Sequence, residues 1–219
     1  MKKVLLLIVV LQSFTFVLLA QTNKTSPISE SVFYYYKGQK VYFNVTYKKI
    51  VVGFAEGHSI SEIKTFLFAH SKIPGDSIKA TALKNQCQVR LGKIVTEETG
   101  KSIALALKNN KIVLYARACI VGINGKLSSY GNEFIVKLKP GTTQLQLNAL
   151  LTRYNCKMQR AYMFDKSTFI LGAGAANNYD GLKMANIFFE SGLFEYAEPD
   201  LEMFNAIDIA PPNDPLYYL

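Results

Sequence analysis

Two stretches of the chain carry the same pattern of apolar and polar positions. The first is Ile50-Val-Val-Gly-Phe-Ala-Glu-Gly57, and the second is Phe134-Ile-Val-Lys-Leu-Lys-Pro-Gly141. In both, apolar residues run on or alternate until a Gly, as in a strand that enters a turn. The pattern therefore predicts one strand in each half of the chain and an internal repeat in which Ile50 corresponds to Phe134.

Each predicted strand is followed by an amphipathic run that starts at a Ser or a Thr. Ser59 is followed three residues later by Glu62, and Thr143 is followed by Gln146 at the same spacing. This is the capping-box pattern, which satisfies backbone N–H groups at the start of a helix. Apolar residues then recur mostly every three or four positions, so each run is predicted to be a helix.

The two halves also end alike. The stretch 111–117 matches the stretch 192–198, so that Arg117 corresponds to Glu198. A helical pattern precedes each of them, at about 99–108 and about 179–191, and Gly192 marks the end of the later one. Each half is therefore predicted to close with a helix and a strand.

The second half contains two more predicted strands, at 157–162 and 167–171. Its order is therefore strand, helix, strand, strand, helix, strand, which is the split β-α-β order of ferredoxin-like proteins. The first half is a degenerate copy in which residues 72–95 have no clear assignment. The predicted fold class is α+β, with two tandem ferredoxin-like modules, each an antiparallel sheet with two helices on one face, preceded by a β-hairpin.

A β-hairpin is predicted before the first module, from Phe33-Tyr-Tyr-Tyr36 through Lys37-Gly38 to the stretch 41–45. A second hairpin signal, Ile123-Asn124-Gly125-Lys126, joins the halves. The predicted division of the chain is a signal peptide, a linker, an N-terminal module with its leading hairpin, a C-terminal module and an extended tail: residues 1–20, 21–32, 33–131, 132–203 and 204–219.

The N-terminus is typical of an export signal. Lys2 and Lys3 precede an apolar run from Val4 to Ala20 that is interrupted by only a few polar residues. After it, no apolar run reaches the roughly 18 residues that a membrane span needs. We therefore expect an exported protein, secreted or located in the periplasm or at the cell surface, with no membrane span once the signal is removed.

The composition is that of a folded protein, with 49% apolar and 19% charged residues. Charge is uneven: residues 21–131 carry 16 basic and 6 acidic side chains, whereas residues 132–219 carry 7 and 10. The basic residues are scattered singly or in pairs, so no nucleic-acid partner is expected. The three cysteines are far apart and are expected to be small buried residues, with one disulfide and one free thiol as the alternative: Cys87, Cys119 and Cys156.

No constellation of catalytic or metal-ligating residues stands out. His58 and His70 form no ligand set with the cysteines. Gly172-Ala-Gly174-Ala-Ala-Asn177 half-resembles a dinucleotide-binding loop but lacks the parallel strand–helix–strand context. We therefore expect no metal, no cofactor and no enzymatic activity.

The second half resembles a known family in the strand Glu133–Gly141, the helix end Phe188-Phe-Glu-Ser-Gly192 and the segment Leu193–Asp200. These resemble the N-terminal prodomain of exported bacterial subtilisin-like serine proteases. The segment Pro212–Tyr218 resembles the stretch that leads into the catalytic domain of such precursors. The Asp, His and Ser motifs of that domain do not occur in the chain. The resemblance therefore implies a prodomain region whose catalytic domain is absent, from a truncated precursor, a split reading frame or a free-standing inhibitor.

The resemblance implies a propeptide that assists the folding of a subtilisin-like serine protease domain and then inhibits it, in cis or in trans. Glu198 and Asp200 match the family's pattern of acid, any residue, acid after the last strand, where the carboxylates cap helices of the protease. The tail that follows is expected to bind the protease cleft as an added strand. Its expected contact residues are Leu201, Glu202, Met203, Phe204 and Asn205.

The first half lacks these acids, since Arg117 and Cys119 stand at the matching positions. We therefore expect only the second module to dock on a protease. One alternative is a free-standing exported inhibitor or adaptor with no protease attached. Another is a binder of small molecules or nucleic acid that uses an exposed sheet face, for which the aromatic run Tyr34–Tyr36 gives some support.

Overall fold

The computed structural model describes residues 31–69, 73, 77–81, 85–92, 95–122 and 125–203. Within these residues the chain is α+β, as predicted, and none of its helices is long and apolar enough to cross a membrane. The predicted signal peptide and the tail from residue 204 lie outside the described residues. The strands are β1 Ser31–Tyr36, β2 Gln39–Phe54, β3 Ile78–Ala80, β4 Gln86–Arg90, β5 Val113–Val121, β6 Leu127–Leu138, β7 Cys156–Tyr162, β8 Asp165–Ala173 and β9 Phe194–Met203. The helices are α1 Ile60–Phe68, α2 Glu97–Lys108, α3 Gln144–Arg153 and α4 Gly181–Glu190.

The described strands form one antiparallel sheet rather than two. The order across the sheet is β3-β4-β2-β5 in the first half of the chain and β7-β8-β6-β9 in the second. The halves are continuous because β5 and β6 pair at Val121 and Leu127, as the hairpin signal between them predicts. Residues 123 and 124 of that signal lie outside the described part. The predicted module boundary at residue 131 falls inside β6.

The strand pairing of the first half is repeated in the second. Val51 of β2 pairs with Arg117 of β5. Their counterparts in the sequence repeat, Ile135 and Glu198, pair with each other in β6 and β9. In each half the register then shifts two residues later, after Gly53 in β2 and after Lys137 in β6. Aligning the two halves by sequence therefore also superposes their strand pairing.

Both predicted capping boxes are present. The Glu62 N–H donates to Ser59 Oγ at 3.2 Å, and the Ser59 N–H donates to Glu62 Oε2 at 2.7 Å. The Gln146 N–H donates to Thr143 Oγ1 at 3.3 Å, and the Thr143 N–H donates to Gln146 Oε1 at 2.9 Å. Each box satisfies N–H groups that have no partner inside the helix, and such a cap contributes about 1 kcal/mol. α1 and α3 therefore start where the sequence predicts.

Each half has an apolar core between the sheet and its two helices. The first core contains Ile50, Val52, Phe54, Ile63, Leu67, Cys87, Val89, Ile103 and Leu107. The second core contains Phe134, Val136, Leu147, Leu151, Phe169, Leu171, Met184, Phe188 and Phe194. Because side chains alternate along a strand, Val51 and Ile135 belong to the other face of the sheet, which is turned away from the helices.

The leading hairpin is present, but its second strand is longer than the sequence predicts. Lys37 and Gly38 form the turn with φ of 48° and 78°, which suits a two-residue hairpin connection. β2 then continues to Phe54 as one strand of 16 residues, with a register shift between Thr46 and Ile50. The prediction of two separate strands is therefore wrong, because a bulge carries a single strand through the polar residues between them.

The three cysteines are buried and free, which confirms their prediction as small buried residues. Burial raises the pKa of Cys87 and of Cys119 to about 12 and that of Cys156 to about 11. The region without a sequence assignment, residues 72–95, contains β3 and β4. These two strands complete the first half's share of the sheet.

Candidate docking face

In the first half, the sheet face turned away from the helices is buried. Val51, Tyr115 and Cys119 are at most 6% exposed. They pack with Leu127 of β6 and with Tyr179, which lies just before α4. The first half therefore uses this face to bind elements of the second half.

Tyr115 lies in the middle of this buried face. Its ring lies across Gly53, where an added Cβ would overlap the ring. Its hydroxyl donates to Gln86 Oε1 at 2.7 Å, and Gln86 Nε2 donates to Glu202 Oε2 at 3.2 Å and to Ser129 Oγ at 3.4 Å. Burial raises the pKa of Tyr115 to about 12, which keeps its hydroxyl a donor at neutral pH. This network links β4 and β5 to β6 and β9.

Arg117 also joins the two halves directly. Its guanidinium lies 4.2 Å from the ring centre of Tyr115 and 4.6 Å from that of Tyr130. It donates to the Tyr179 carbonyl at 2.8 Å and lies 3.8 Å from Asp180 Oδ1. Asn178 and Tyr179 both have a left-handed backbone, with φ of 53° and 52°. Such residues persist only where their surroundings fix them, and the hydrogen bond from Arg117 does so here.

In the second half the corresponding face is open. We call it the open face and define it by Ile135, Tyr162, Thr168, Tyr196 and Glu198, which line a depression of about 290 Å³. These residues come from β6, β7, β8 and β9. The lining therefore combines two tyrosines and an isoleucine with a hydroxyl and one carboxylate.

The open face repeats the chemistry of the buried one. Tyr196 is the counterpart of Tyr115 in the sequence repeat, and its hydroxyl lies 3.5 Å from Thr168 Oγ1. Thr168 pairs with Lys137 in β6, as Gln86 pairs with Gly53 in β2. The tyrosine therefore meets a polar residue of the neighbouring strand in both halves, yet only in the first half is that contact covered.

Glu198, a predicted docking residue, lies on the open face opposite Ile135. It is half-buried, and it forms no hydrogen bond or ion pair with another described side chain. Desolvation by burial raises the pKa of Glu198, because water is partly removed and no cation replaces it. Burial and then the charge of Glu198 raise the pKa of Tyr34 in β1, which places that ring beside the open face.

Asp200, the second predicted docking residue, is half-buried. Its neighbours Pro199 and Leu201 pair with Phe134 and Tyr130 of β6. The register shifts between these two pairs because β6, and not β9, contains extra residues there. β9 is therefore regular at this point. Strand alternation puts Asp200 on the same face as Glu198.

Three of the five residues predicted to bind the protease cleft lie in the last strand of the sheet. Leu201, Glu202 and Met203 belong to β9 and pair with residues of β6. Leu201 packs in an apolar cluster that includes Ile120, and Glu202 is hydrogen-bonded to Gln86. These side chains are held because the last strand extends past Asp200. Phe204 and Asn205, the other predicted tail residues, lie outside the described residues.

The sequence analysis assigned no binding role to the turn between β7 and β8. Tyr162, Met163 and Phe164 are 45%, 85% and 83% exposed, and Tyr162 lines the depression of the open face. The only signal in the sequence is an apolar run that lies between two strands.

The described part of the chain contains no group of three or more His, Cys, Asp or Glu side chains that could hold a metal ion. The Gly172–Asn177 segment links β8 to α4 and contains a short 3-10 turn at Ala175–Asn177. β8 is antiparallel to both of its neighbours, so the loop does not have the parallel context of a dinucleotide site.

Comparison with known proteins identifies no family. No protein-family model matches the sequence, and no curated protein matches it. Among solved structures, the chain is similar to the small subunit of acetolactate synthase from Thermotoga maritima, with 10% identity, 71% of this chain and 94% of that chain covered, and a TM-score of 0.28. A similarity at this level carries no inference about function.

Proposed function

We propose that the chain is a propeptide-like folding assistant and inhibitor of a subtilisin-like serine protease, built as two ferredoxin-like modules in tandem. The observation that carries the proposal is Glu198, a half-buried carboxylate without a described partner on the open face. A group in that state is destabilised until a partner supplies a cation or N–H donors. Helix N-termini on a protease domain offer such donors.

The repeated topology supports the two-module part of the proposal. Each half places its strands in the same order and its two helices on the same side. A module of about 80 residues buries a limited share of its surface and is marginal alone. In this proposal the first module stabilises the second through Arg117, and the second module docks on the protease.

Inhibition in this proposal uses the chain that follows β9. Because β9 extends to Met203, the cleft-binding segment starts after it, at Phe204 or beyond. An extended segment can add as a strand to the edge of a protease cleft. We further propose that residues 1–20 direct export, so that the protein acts outside the cytoplasm.

The test is inhibition of a subtilisin-like serine protease by the purified protein. We expect slow, tight inhibition, weakened roughly tenfold or more by the double change Glu198→Ala and Asp200→Ala, since the loss of a buried charged contact exceeds about 1.4 kcal/mol. The matched control is Glu56→Ala with Glu98→Ala, two exposed acids of the first half. Absence of inhibition by the unaltered protein would overturn the proposal, and so would equal inhibition by the two double variants.

The alternative is a free-standing exported inhibitor or adaptor with no protease attached. It uses the same open face, so the same binding measurement addresses it. Binding to the protease without inhibition would favour the adaptor, whereas inhibition is expected of a propeptide and of a free-standing inhibitor alike.

A further inference from the structure

The turn between β7 and β8 presents two large apolar side chains to solvent. Tyr162 pairs with Asp165, so Met163 and Phe164 form a two-residue connection. Their exposed fractions are 85% and 83%. We call residues 162–164 the apolar tip.

Turn geometry does not explain these residue types. Two-residue hairpin connections favour Gly, Asn or Asp at positions with positive φ. The turn from β1 to β2 has positive φ at both positions and a Gly at the second, Gly38. Met163 and Phe164 have no positive φ. The turn therefore gains nothing from an exposed Met and Phe.

The two rings of the apolar tip and the start of β8 after it are held in place before any partner binds. Asp165 accepts hydrogen bonds from the Ser167 N–H at 2.9 Å, from Ser167 Oγ at 2.6 Å and from Thr168 Oγ1 at 2.9 Å. The rings of Tyr162 and Phe164 meet edge to face at 5.9 Å. Ordered side chains lose little entropy on binding, so they suit a binding contact.

The apolar tip is continuous with the open face. Tyr162 belongs to both, since it lines the depression together with Glu198. A partner seated on Glu198 therefore reaches the tip. The two features form one surface that contains aromatic side chains and a Met, residue types that are enriched at protein–protein interfaces.

The charges beside the tip favour a protein over an anionic membrane. Lys137 Nζ lies 3.6 Å from Asp165 and 3.1 Å from Glu195, and Arg160 lies 3.6 Å from Glu133. Membrane surfaces attract clusters of cations that are free to meet lipid headgroups. Lys137 and Arg160 are matched by acids of the same chain, and the exposed Lys166 beside the tip is one cation rather than a cluster.

We propose that Met163 and Phe164 insert into an apolar pocket of the protein that docks on the open face, and that they help to select it. The inference rests on the proposed function, because that partner is the subtilisin-like protease. Glu198 then supplies the polar anchor and the tip supplies the apolar one, at opposite ends of one depression.

The experiment measures the inhibition constant of the full protein against a subtilisin-like serine protease for Met163→Ser with Phe164→Ser. We expect a rise of roughly tenfold or more, as for the loss of a buried apolar contact. The matched control is Leu105→Ser with Leu145→Ser, two leucines on helices with 56% and 78% exposure. It should change the constant less than about twofold. Phe164→Leu keeps an apolar side chain and should restore most of the affinity.

The outcomes separate this inference from the proposed function. If the protein inhibits and the Glu198 and Asp200 variant is weakened, but the tip variant matches its leucine control, the tip inference alone is wrong. If the unaltered protein does not inhibit, both are wrong. A parallel sedimentation with phosphatidylglycerol vesicles tests the membrane: tip-dependent binding there, with unchanged inhibition, would also overturn the inference. Thermal midpoints of the tip variant and of its leucine control that equal that of the unaltered protein show that the fold is intact.

Discussion

Replacing Arg117 with Ala should separate the roles of the two sheet faces. The side chain is 12% exposed and lies between two tyrosine rings at 4.2 and 4.6 Å. Its short hydrogen bond, at 2.8 Å, goes to the Tyr179 carbonyl, and weaker ones go to the Asn178 and Gly131 carbonyls at 3.4 and 3.5 Å. The change removes all of these contacts at once.

The expected loss follows from these distances. A hydrogen bond from a charged donor contributes about 1.5–3 kcal/mol, and the two longer bonds contribute little. A largely desolvated cation between rings adds about 1–2 kcal/mol. The sum is a loss of about 2.5–5 kcal/mol in the free energy of unfolding, a large fraction of the roughly 5–15 kcal/mol of a typical domain.

The assay is urea unfolding followed by far-ultraviolet circular dichroism, because the chain has no Trp. Arg117→Lys should lose about 1–2 kcal/mol, since an ammonium reaches a carbonyl but does not stack between both rings. Arg90→Ala, an exposed arginine at the end of β4, is the control and should stay within about 0.5 kcal/mol of the unaltered protein. The reasoning is refuted if Arg117→Ala is no less stable than Arg90→Ala.

Two further predictions concern ionisable groups. Burial raises the pKa of Glu198, so the folded state loses stability as the pH rises from the ordinary Glu range through the raised pKa. Glu198→Gln removes this loss. It should therefore raise the thermal midpoint at about pH 7 and leave it unchanged at about pH 3. A higher midpoint at both pH values, or at neither, would contradict this. The pKa values of the three free thiols are raised by burial, so alkylation at about pH 8 should be slow in the folded protein and complete in urea. Rapid labelling without urea would contradict their burial.

Local features of the fold could be predicted from the sequence because they depend on neighbouring residues. The capping boxes at Ser59 and Thr143 depend on residues three positions away. The repeat could be predicted because apolar periodicity survives substitution of the individual side chains. The correspondence between equivalent strands then gives the register, which pairs Val51 with Arg117 and Ile135 with Glu198.

The length of β9 could not be predicted in the same way. Pro199 reads as a strand end, because it cannot donate to a ladder. Within the described sheet β9 pairs only with β6, so a missing N–H is tolerated on its other side. Tertiary contacts hold the strand after Pro199, because Leu201 packs in a cluster with Ile120 and Glu202 accepts a hydrogen bond from Gln86. Such long-range contacts leave no periodic trace in the sequence.

The apolar tip was also out of reach of pattern reasoning. Tyr162, Met163 and Phe164 form an apolar run between polar residues of the two flanking strands, and such a run is more often buried than exposed. Their exposure depends on where the turn ends relative to the helices, which the hydrophobic pattern does not specify. Only the three-dimensional arrangement reveals that the run borders the same depression as Glu198.

The sequence does contain one clear difference between the two sheet faces. At equivalent positions in the repeat, the first half has Arg117 and the second has Glu198. A guanidinium between two rings can donate to backbone carbonyls, and the segment before α4 offers those of Asn178 and Tyr179. A carboxylate cannot bind carbonyls, because both are acceptors. The Arg117 side chain therefore finds its acceptors within the chain, whereas no described residue donates to Glu198. This reversal of charge between two copies of one strand matches the difference between the faces: Arg117 helps to close the first face against the second half, and Glu198 lies on a face that is open.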